Sequence, residues 1–238
     1  KYKELTPYSG CKFGIKFCSF GKYSCIGWQG PEAEKCDGKG IDEDCDREID
    51  ENVSKPLDIV LVLDESCSMS VHINSLITTT VSWIKKYSSR DNLRCSLITA
   101  SSSILSLDGL VILEQNFSNV NDFISILQIQ HYGDTGMEAT LDAIYNISTS
   151  SNPLGLTWAP GANKVIIVYS DENPQTWMTP RLTEFQAINE AMINNVSVYV
   201  FTDTYSLWTW DSWNAQIFSD GNDLEKALDQ IISFNSCK

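Results

Sequence analysis

The stretch "LDIVLVLDESCSMS", residues 57–70, joins an apolar run to a polar loop. Its first seven residues have the length and the Val, Ile and Leu content of a strand buried on both faces, which is typical of a parallel sheet covered by helices. Directly after the run, Asp64, Ser66 and Ser68 occupy alternate positions. Loops that leave the carboxyl ends of parallel strands form the ligand crevice of open α/β sheets. The stretch therefore predicts a fold class and the place of a site.

Four further runs with strand character follow at residues 94–100, 109–115, 164–170 and 196–202. Apolar residues at helical spacing lie between or after these runs. They form five stripes: Ile73, Leu76, Ile77, Val81 and Ile84; Phe123, Ile126 and Leu127; Leu141, Ile144 and Tyr145; Phe185, Ile188 and Met192; Leu224, Leu228, Ile231 and Ile232. Before the last stripe, Asn222 fits a helix N-cap with Glu225 at the third helical position. The pattern predicts a doubly wound α/β fold, with a mainly parallel sheet flanked by helices and right-handed crossovers.

Length and composition limit the number of domains. The 238 residues, 42% of them hydrophobic, suffice for one full-sized core with a small appendage, or for two compact domains. Near residue 54 the composition changes from Gly, Lys, Cys and aromatic residues without periodicity to the regular pattern above. We therefore predict a Cys-rich, acidic, metal-binding segment at 1–54 and an α/β domain at 55–238.

The charge balance narrows the choice of partners. A net charge of -14 would repel a nucleic-acid backbone, whereas carboxylate oxygens suit hard divalent cations. Every apolar run is shorter than the roughly 18 to 20 residues that span a bilayer, so we expect no membrane span. The chain begins at Lys1 without a signal-like stretch, which is expected of a processed chain or of a piece of a longer one.

The distribution of cysteines indicates the compartment. Five of the eight lie in the first 45 residues, without a C-x-x-C pair, and the chain has only two histidines. Zinc binding is therefore not expected, and a disulfide framework in an oxidising, extracellular or cell-surface setting is favoured over reduced cysteines in the cytosol. Eight cysteines allow 105 pairings, which the count leaves open. The chain has four N-x-S/T sequons, at Asn52, Asn116, Asn146 and Asn195, a number close to that expected by chance. They would be glycosylated only in a secreted eukaryotic protein.

Two further segments add oxygen ligands to the first strand tip. The run "KVIIVYS" (164–170) brings Asp171 to the same sheet edge, and "HYGDTGMEATLDAI" (131–144) places Thr135 in a Gly-flanked turn before a helix. A D-x-S-x-S pentapeptide alone would arise by accident with a probability of roughly one in four. Together, these hydroxyls and carboxylates are the ligands of an octahedral magnesium or manganese site.

The segments "DIVLVLDESCSMS", "YGDTGMEATLDAI" and "KVIIVYSDENPQ" resemble, in this order, the von Willebrand factor type A domains. The resemblance covers roughly residues 56–235. It implies a metal-ion-dependent adhesion site whose hydroxyls ligate the ion directly and whose acids bind it directly or through water. An acidic residue of the partner completes the ligand shell in this family. The implied metal ligands are Asp64, Ser66, Ser68, Thr135 and Asp171.

This sequence departs from the family pattern at two places. Cys67 occupies a position that is often Gly, and "SDE" (170–172) replaces the common "TDG". A disulfide at Cys67 would fix the loop or partly shield the ion. The alternative to a metal site is that the five residues only end strands and cap helices, with Ser68 as an N-cap.

A second acidic array, "EKCDGKGIDEDCDREIDEN", occupies residues 34–52. It resembles the "CDGxDNDCDGxxDE" motif of Cys-rich surface proteins and, less closely, thrombospondin type 3 repeats. It differs from an EF-hand because Arg47 replaces the glycine after the third acid and Val53 stands at the twelfth position. The resemblance implies a clip stabilised by Ca²⁺ and pinned by a Cys36–Cys45 disulfide, whereas the alternative is a solvated acidic linker. The expected calcium ligands are Asp42, Asp44, Asp46, Asp50 and Glu51.

Aromatic residues cluster in "YSLWTWDSW" (205–213), directly after the last predicted strand. We expect Trp208, Trp210 and Trp213 at the same edge as the metal, together with Trp177, as a rim for protein or sugar rings. The alternative is that these tryptophans anchor a long loop to the core.

These features favour an extracellular adhesion or protein-interaction module that binds an acidic ligand residue through Mg²⁺ or Mn²⁺. Its partner would be a protein carboxylate or a glycan. The alternative is a structural subunit that assembles into a filament, an appendage or a surface layer. We do not expect an enzyme, because H-E-x-x-H, G-x-S-x-G and phosphate-loop motifs are missing from the sequence. A metal-dependent hydrolase using Asp64 and Asp171 is the remaining catalytic alternative.

Overall fold

A computed structural model describes residues 15–19, 22–27, 32, 55–90, 92–100, 111–129, 138–178, 180–213, 215–217 and 221–235. The chain divides into two compact units, residues 56–235 and residues 1–55 with 236–238. The second of these contains an antiparallel hairpin of β1 (Ile15–Ser19) and β2 (Lys22–Ile26). Several predictions lie outside the described residues: the Cys36–Cys45 disulfide, the calcium ligands Asp42, Asp44, Asp46, Asp50 and Glu51, the sequon at Asn52, and Thr135.

The larger unit is built on a six-stranded sheet with the strand order β5-β4-β3-β6-β7-β8. All neighbouring strands are parallel except β5, which pairs antiparallel with β4 at one edge. The prediction of a mainly parallel sheet is thus confirmed. The strands are β3 (Leu57–Asp64), β4 (Leu93–Ala100), β5 (Val111–Ser118), β6 (Asn163–Tyr169), β7 (Val196–Thr202) and β8 (Gln216–Ile217).

Helices cover both faces of this sheet. They are α1 (Ile73–Lys85), α2 (Val120–Leu127), α3 (Thr140–Ser148), α4 (Glu184–Ile193) and α5 (Gly221–Asn235), with 3₁₀ turns at Ser68–Val71 and Leu207–Trp213. All residues of β3 are buried, as its continuous apolar run predicted. Leu61 and Leu63 belong to the core formed with α1, α2 and α5, whereas Val60 and Val62 belong to the core formed with α3 and α4.

The helix predictions require two corrections. Of the predicted apolar stripe of α4, only Ile188 packs against the core, because Phe185 and Met192 are 77% and 72% exposed. Ala187 and Ala191 pack inward instead, and such small residues on one face let a helix approach its neighbours closely. Asn222 is not an N-cap, because α5 already begins at Gly221. The predicted apolar residues of α5 are buried as expected: Leu224, Leu228, Ile231 and Ile232.

A buried ion pair lies near the amino end of β3, opposite the predicted site. Asp58 is fully buried and accepts two hydrogen bonds from Arg94, at 2.8 Å from Nε and 2.6 Å from Nη2. The backbone N–H of Ala159 donates to the same carboxylate at 2.6 Å. Such a bidentate pair fixes the register of β3 and β4 and the loop before β6. Across the described ranges, every helix is too short or too polar to cross a lipid bilayer.

Candidate metal centre

The centre begins with Asp64 at the carboxyl end of β3. The neighbouring strand β6 pairs Tyr169 with Leu63, so Ser170 follows Tyr169 beside Asp64. The Ser170 hydroxyl donates to Asp64 Oδ2 at 2.6 Å, and the backbone N–H of Ser66 donates to Oδ1 at 2.8 Å. Asp64 is fully buried, so these two bonds hold its carboxylate in one orientation.

Three oxygen atoms from two loops form a triangle next to Asp64. The hydroxyls of Ser66 and Ser68 are 2.9 Å apart. They donate to Asp171 Oδ1 at 3.4 Å and 3.0 Å, respectively. In an octahedral site with Mg–O bonds of about 2.1 Å, adjacent ligand atoms are about 3.0 Å apart, and Ca–O bonds of about 2.3 to 2.6 Å would require about 3.3 to 3.7 Å. Two edges of the triangle thus match the spacing in a magnesium octahedron, whereas the 3.4 Å edge between Ser66 Oγ and Asp171 Oδ1 lies in the calcium range.

The structure also tests the alternative roles of this loop. The 3₁₀ turn begins at Ser68, and the residue in its capping position, Cys67, makes no side-chain capping bond. The Ser68 hydroxyl instead contacts Ser66 and Asp171, so Ser68 is not an N-cap. Cys67 carries an exposed free thiol, which corrects the suggestion of a disulfide at this position.

Sequence reasoning missed Glu138, which lies just before α3. This residue is completely buried, and neither of its carboxylate oxygens has a hydrogen-bond partner within the described ranges. Burial raises the pKa of Glu138 to about 8, and the charges of Asp64, Glu172 and Asp171 act in the same direction. A buried carboxylate without a partner is unfavourable unless it binds a proton or a cation. The sequence signal that could have identified Glu138 is its position three residues after the implied ligand Thr135.

Burial is the main cause of the perturbed carboxylate pKa values of the centre, and repulsion between the carboxylates adds to it. Burial raises the pKa of Asp64 to about 6, with a smaller contribution from the charge of Asp171. Burial and the charges of Asp171 and Asp203 also raise the pKa of Glu172. Among the described residues, no group of three or more His, Cys, Asp or Glu side chains has a metal-binding arrangement. The fit to a cation therefore depends on the mixed set of hydroxyls and carboxylates, together with the unpartnered Glu138.

The tryptophan prediction is partly wrong. Trp210 is completely buried and Trp213 nearly so, and their rings pack edge to face with centroids 6.5 Å apart. Neither can belong to an exposed rim, because the 3₁₀ turn directs both indoles into the core. Trp210 Nε1 donates to the backbone carbonyl of Glu172 at 2.8 Å, which attaches this segment to the metal loop. Trp177 and Trp208 are exposed, and their role as a ligand rim stays a prediction.

The sequons differ in accessibility. Asn116 Nδ2 donates to the carbonyl of Gly155 at 2.8 Å, and its Oδ1 accepts from the backbone N–H of Phe117 at 2.8 Å. Asn146 is half-buried in α3. Asn195 is exposed in the turn between α4 and β7, with a φ of 52° that Asn tolerates better than most residues. Asn195 is thus the best-exposed acceptor of these three, and glycosylation stays a prediction.

Comparison with solved structures shows the same fold in two proteins. One is the pilus adhesin SpaC from Lactobacillus rhamnosus GG in an open conformation, with a TM-score of 0.53 and 15% identity. The other is proximal thread matrix protein 1 from the mussel byssus, with a TM-score of 0.54 and 15% identity. The matches cover 77% and 78% of this chain, which spans only 30% and 47% of those chains, respectively.

The family assignment comes from sequence. No curated protein matches the chain. The von Willebrand factor type A domain profile matches residues 58–236, which include nearly the whole six-stranded sheet and the candidate metal centre. The chain therefore belongs to the von Willebrand factor type A domain family.

Proposed function

We propose that this chain is an extracellular adhesion or protein-interaction module that binds an acidic residue of its partner through a divalent cation. The observation that carries the proposal is the triangle of Ser66 Oγ, Ser68 Oγ and Asp171 Oδ1, with edges of 2.9, 3.0 and 3.4 Å. The two shorter edges support Mg²⁺ or Mn²⁺ as the bound ion. Thr135 would supply a fourth protein ligand, as the family resemblance implies.

The neutral and the charged protein groups of the centre would have different roles. Ser66 and Ser68 are neutral ligands, so they leave a bound cation with most of its positive charge and favour an incoming carboxylate. Asp64 is held by Ser170 and by the Ser66 backbone, and this position suits an acceptor for metal-bound water. Glu138 would face the same charge, which would offset the energetic cost of its burial. None of these groups is assigned a catalytic role, and we propose that the chain is not an enzyme.

The remaining features of the proposed protein concern the first 55 residues and the surface. A Ca²⁺ clip formed by Asp42, Asp44, Asp46, Asp50 and Glu51 and a Cys36–Cys45 disulfide stay part of the proposal. An extracellular or cell-surface location would favour the disulfide, because disulfides form under oxidising conditions. The printed names of the two structural neighbours, a pilus adhesin and a byssus thread protein, support the same location.

A structural subunit of a filament or surface layer is the second candidate. It is favoured by the exposed apolar side chains of Phe185 and Met192 on α4, since water-exposed apolar residues on one helix are typical of contact surfaces. One structural neighbour is a thread matrix protein. In this candidate, self-association would not need a divalent cation.

An array of peptides with a central Glu or Gln tests the leading proposal. Wild-type protein should bind some Glu peptides in Mg²⁺, lose them in EDTA, and bind none of the Gln counterparts. The variant Ser66→Ala/Ser68→Ala should lose this binding, whereas Ser70→Ala, which removes an exposed hydroxyl from the same loop, should keep it. Equal binding of Glu and Gln peptides would contradict the proposal. Sedimentation velocity in EDTA addresses the second candidate, because only an assembly subunit should stay self-associated there.

A further inference from the structure

An open cavity lies beside the candidate metal centre. It has a volume of about 390 Å³. The loop after β6 contributes Asn173, the first turn of α4 contributes Glu184, and the 3₁₀ turn at 207–213 contributes Trp208, Asp211 and Ser212. Asn173 follows Asp171 by two residues, so their Cα atoms are at most about 7.6 Å apart. The edge of the cavity at Asn173 therefore lies close to the metal ligand Asp171.

The side chains of this cavity suit a positive charge. Trp208 is 73% exposed, although burying an indole is strongly favourable, so its exposure is unexplained by folding. Two carboxylates, those of Glu184 and Asp211, line the same cavity, and neither has an ion-pair or hydrogen-bond partner among the described side chains. The described lining includes no Lys, Arg or His. An indole face next to carboxylates attracts ammonium and guanidinium groups.

The cavity walls are held in place before any ligand arrives. Trp210 is anchored to the Glu172 carbonyl, and the hydroxyl of Ser206 donates to the carbonyl of Asp171 at 2.6 Å. On the opposite wall, Thr183 and Gln186 form a capping box. This box fixes the first turn of α4 and therefore the backbone of Glu184. Because this backbone is already ordered, ligand binding would cost only side-chain freedom, which favours affinity.

We propose that this cavity binds a Lys or Arg side chain of the partner, next to the acidic residue held at the metal centre. The binding of both partner residues side by side rests on the proposed function, whereas the binding of a Lys or Arg side chain in the cavity does not. A purely acidic partner would be repelled by a chain with a net charge of -14, even with one divalent ion bound. A partner segment that carries a Lys or Arg within a few residues of its acid would therefore bind both the metal centre and the cavity.

Nuclear magnetic resonance of the tryptophan indole N–H groups tests the cavity directly. N-acetyl-arginine methylamide should shift the Trp208 signal saturably, and the matching spectrum of Trp208→Phe identifies that signal. N-acetyl-citrulline methylamide, which has the same shape without the charge, should leave it unmoved.

Two variants with matched chemistry test the role of the cavity carboxylates. Glu184→Gln/Asp211→Asn should weaken arginine binding by about tenfold or more. Glu190→Gln serves as the control, because it removes a half-buried acid from α4 outside the cavity lining. The amide oxygen of Gln can still accept the hydrogen bond that Asn194 Nδ2 donates to Glu190 at 3.0 Å. This control should change arginine binding by less than about twofold.

Three results would overturn the inference. Citrulline could match arginine, the double variant could bind as well as wild type, or methyl glycosides could shift Trp208 while arginine does not, which would make the cavity a sugar site. The same titration in EDTA and in Mg²⁺ separates this inference from the proposed function. Arginine binding without any Mg²⁺-dependent preference for Glu peptides would keep the cavity and refute the adhesion site. A preference for Glu peptides without arginine binding would support the adhesion site and refute the cation-binding cavity.

Discussion

Replacing Glu138 by Gln should stabilise the metal-free protein at alkaline pH. The carboxylate is completely buried without a hydrogen-bond partner among the described residues, and burial raises its pKa from 4.5 to about 8. The folded state therefore binds a proton that the unfolded state has already lost. This contribution to stability is fully present below pH 4.5 and is lost as the pH rises through about 8.

The size of this effect follows from the pKa. At about 1.36 kcal/mol for each pKa unit, the full loss from below pH 4.5 to above pH 8 is at most about 5 kcal/mol, and solvent screening near the sheet edge reduces it to about 2 kcal/mol. For a domain of this size, about 2 kcal/mol corresponds to roughly 4 to 8 °C in melting temperature. The amide of the Gln introduced at this position would also lack hydrogen-bond partners, so the gain in melting temperature should lie toward the lower end of this range.

Thermal unfolding followed by circular dichroism in EDTA, at pH 5 and pH 8, measures this effect. Glu138→Gln should melt higher than wild type at pH 8 and close to it at pH 5. It should also gain less than wild type on addition of Mg²⁺, because it lacks the charge that faces the ion. Glu190→Gln is the matched control and should follow wild type, since this carboxylate has a hydrogen-bond partner that Gln can keep. A Glu138→Gln protein that is less stable than wild type at pH 8 would show that the buried carboxylate does not destabilise the metal-free fold.

Three further predictions concern pH and packing. The gain in melting temperature on adding Mg²⁺ should decline as the pH falls through about 6, because burial raises the pKa of Asp64 to that value and its protonated form no longer attracts the cation. Asp58→Ala should cost about 3 to 5 kcal/mol in urea unfolding, because it leaves Arg94 without its buried partner, yet Mg²⁺ binding by the folded protein should be unchanged. Trp210→Ala should cost about 3 to 5 kcal/mol, whereas Trp208→Ala should change stability by less than about 0.5 kcal/mol, since only Trp210 is buried.

The fold could be predicted largely from the sequence because its central strands are unambiguous. The runs at 57–63 and 164–170 consist mainly of apolar residues, and the structure buries β3 and most of β6 between two layers of helices. The antiparallel direction of β5 could not be predicted, since a strand's composition does not encode the direction of its neighbour. In α4, periodicity alone favoured the large residues Phe185 and Met192, but the helix packs through Ala187 and Ala191.

The candidate site was predictable where it depends on strand ends and not where it depends on side-chain direction. Asp64, Ser66, Ser68 and Asp171 follow adjacent parallel strands, so the topology alone brings them together. Whether each tryptophan of 205–213 points inward depends on a 3₁₀ turn that has no clear periodic signal. Glu138 escaped notice because a single acid in a loop looks like surface, and only the structure shows that it is buried.

Isothermal titration of Mg²⁺ into metal-stripped protein measures directly whether the oxygen triangle binds a cation. We expect a binding heat for wild type and for Ser70→Ala that is lost in Ser66→Ala/Ser68→Ala, because only the latter removes two corners of the triangle. A Ca²⁺ heat that persists in the double variant would fit a separate site in the acidic segment. Indistinguishable Mg²⁺ titrations of wild type and the double variant would contradict the account.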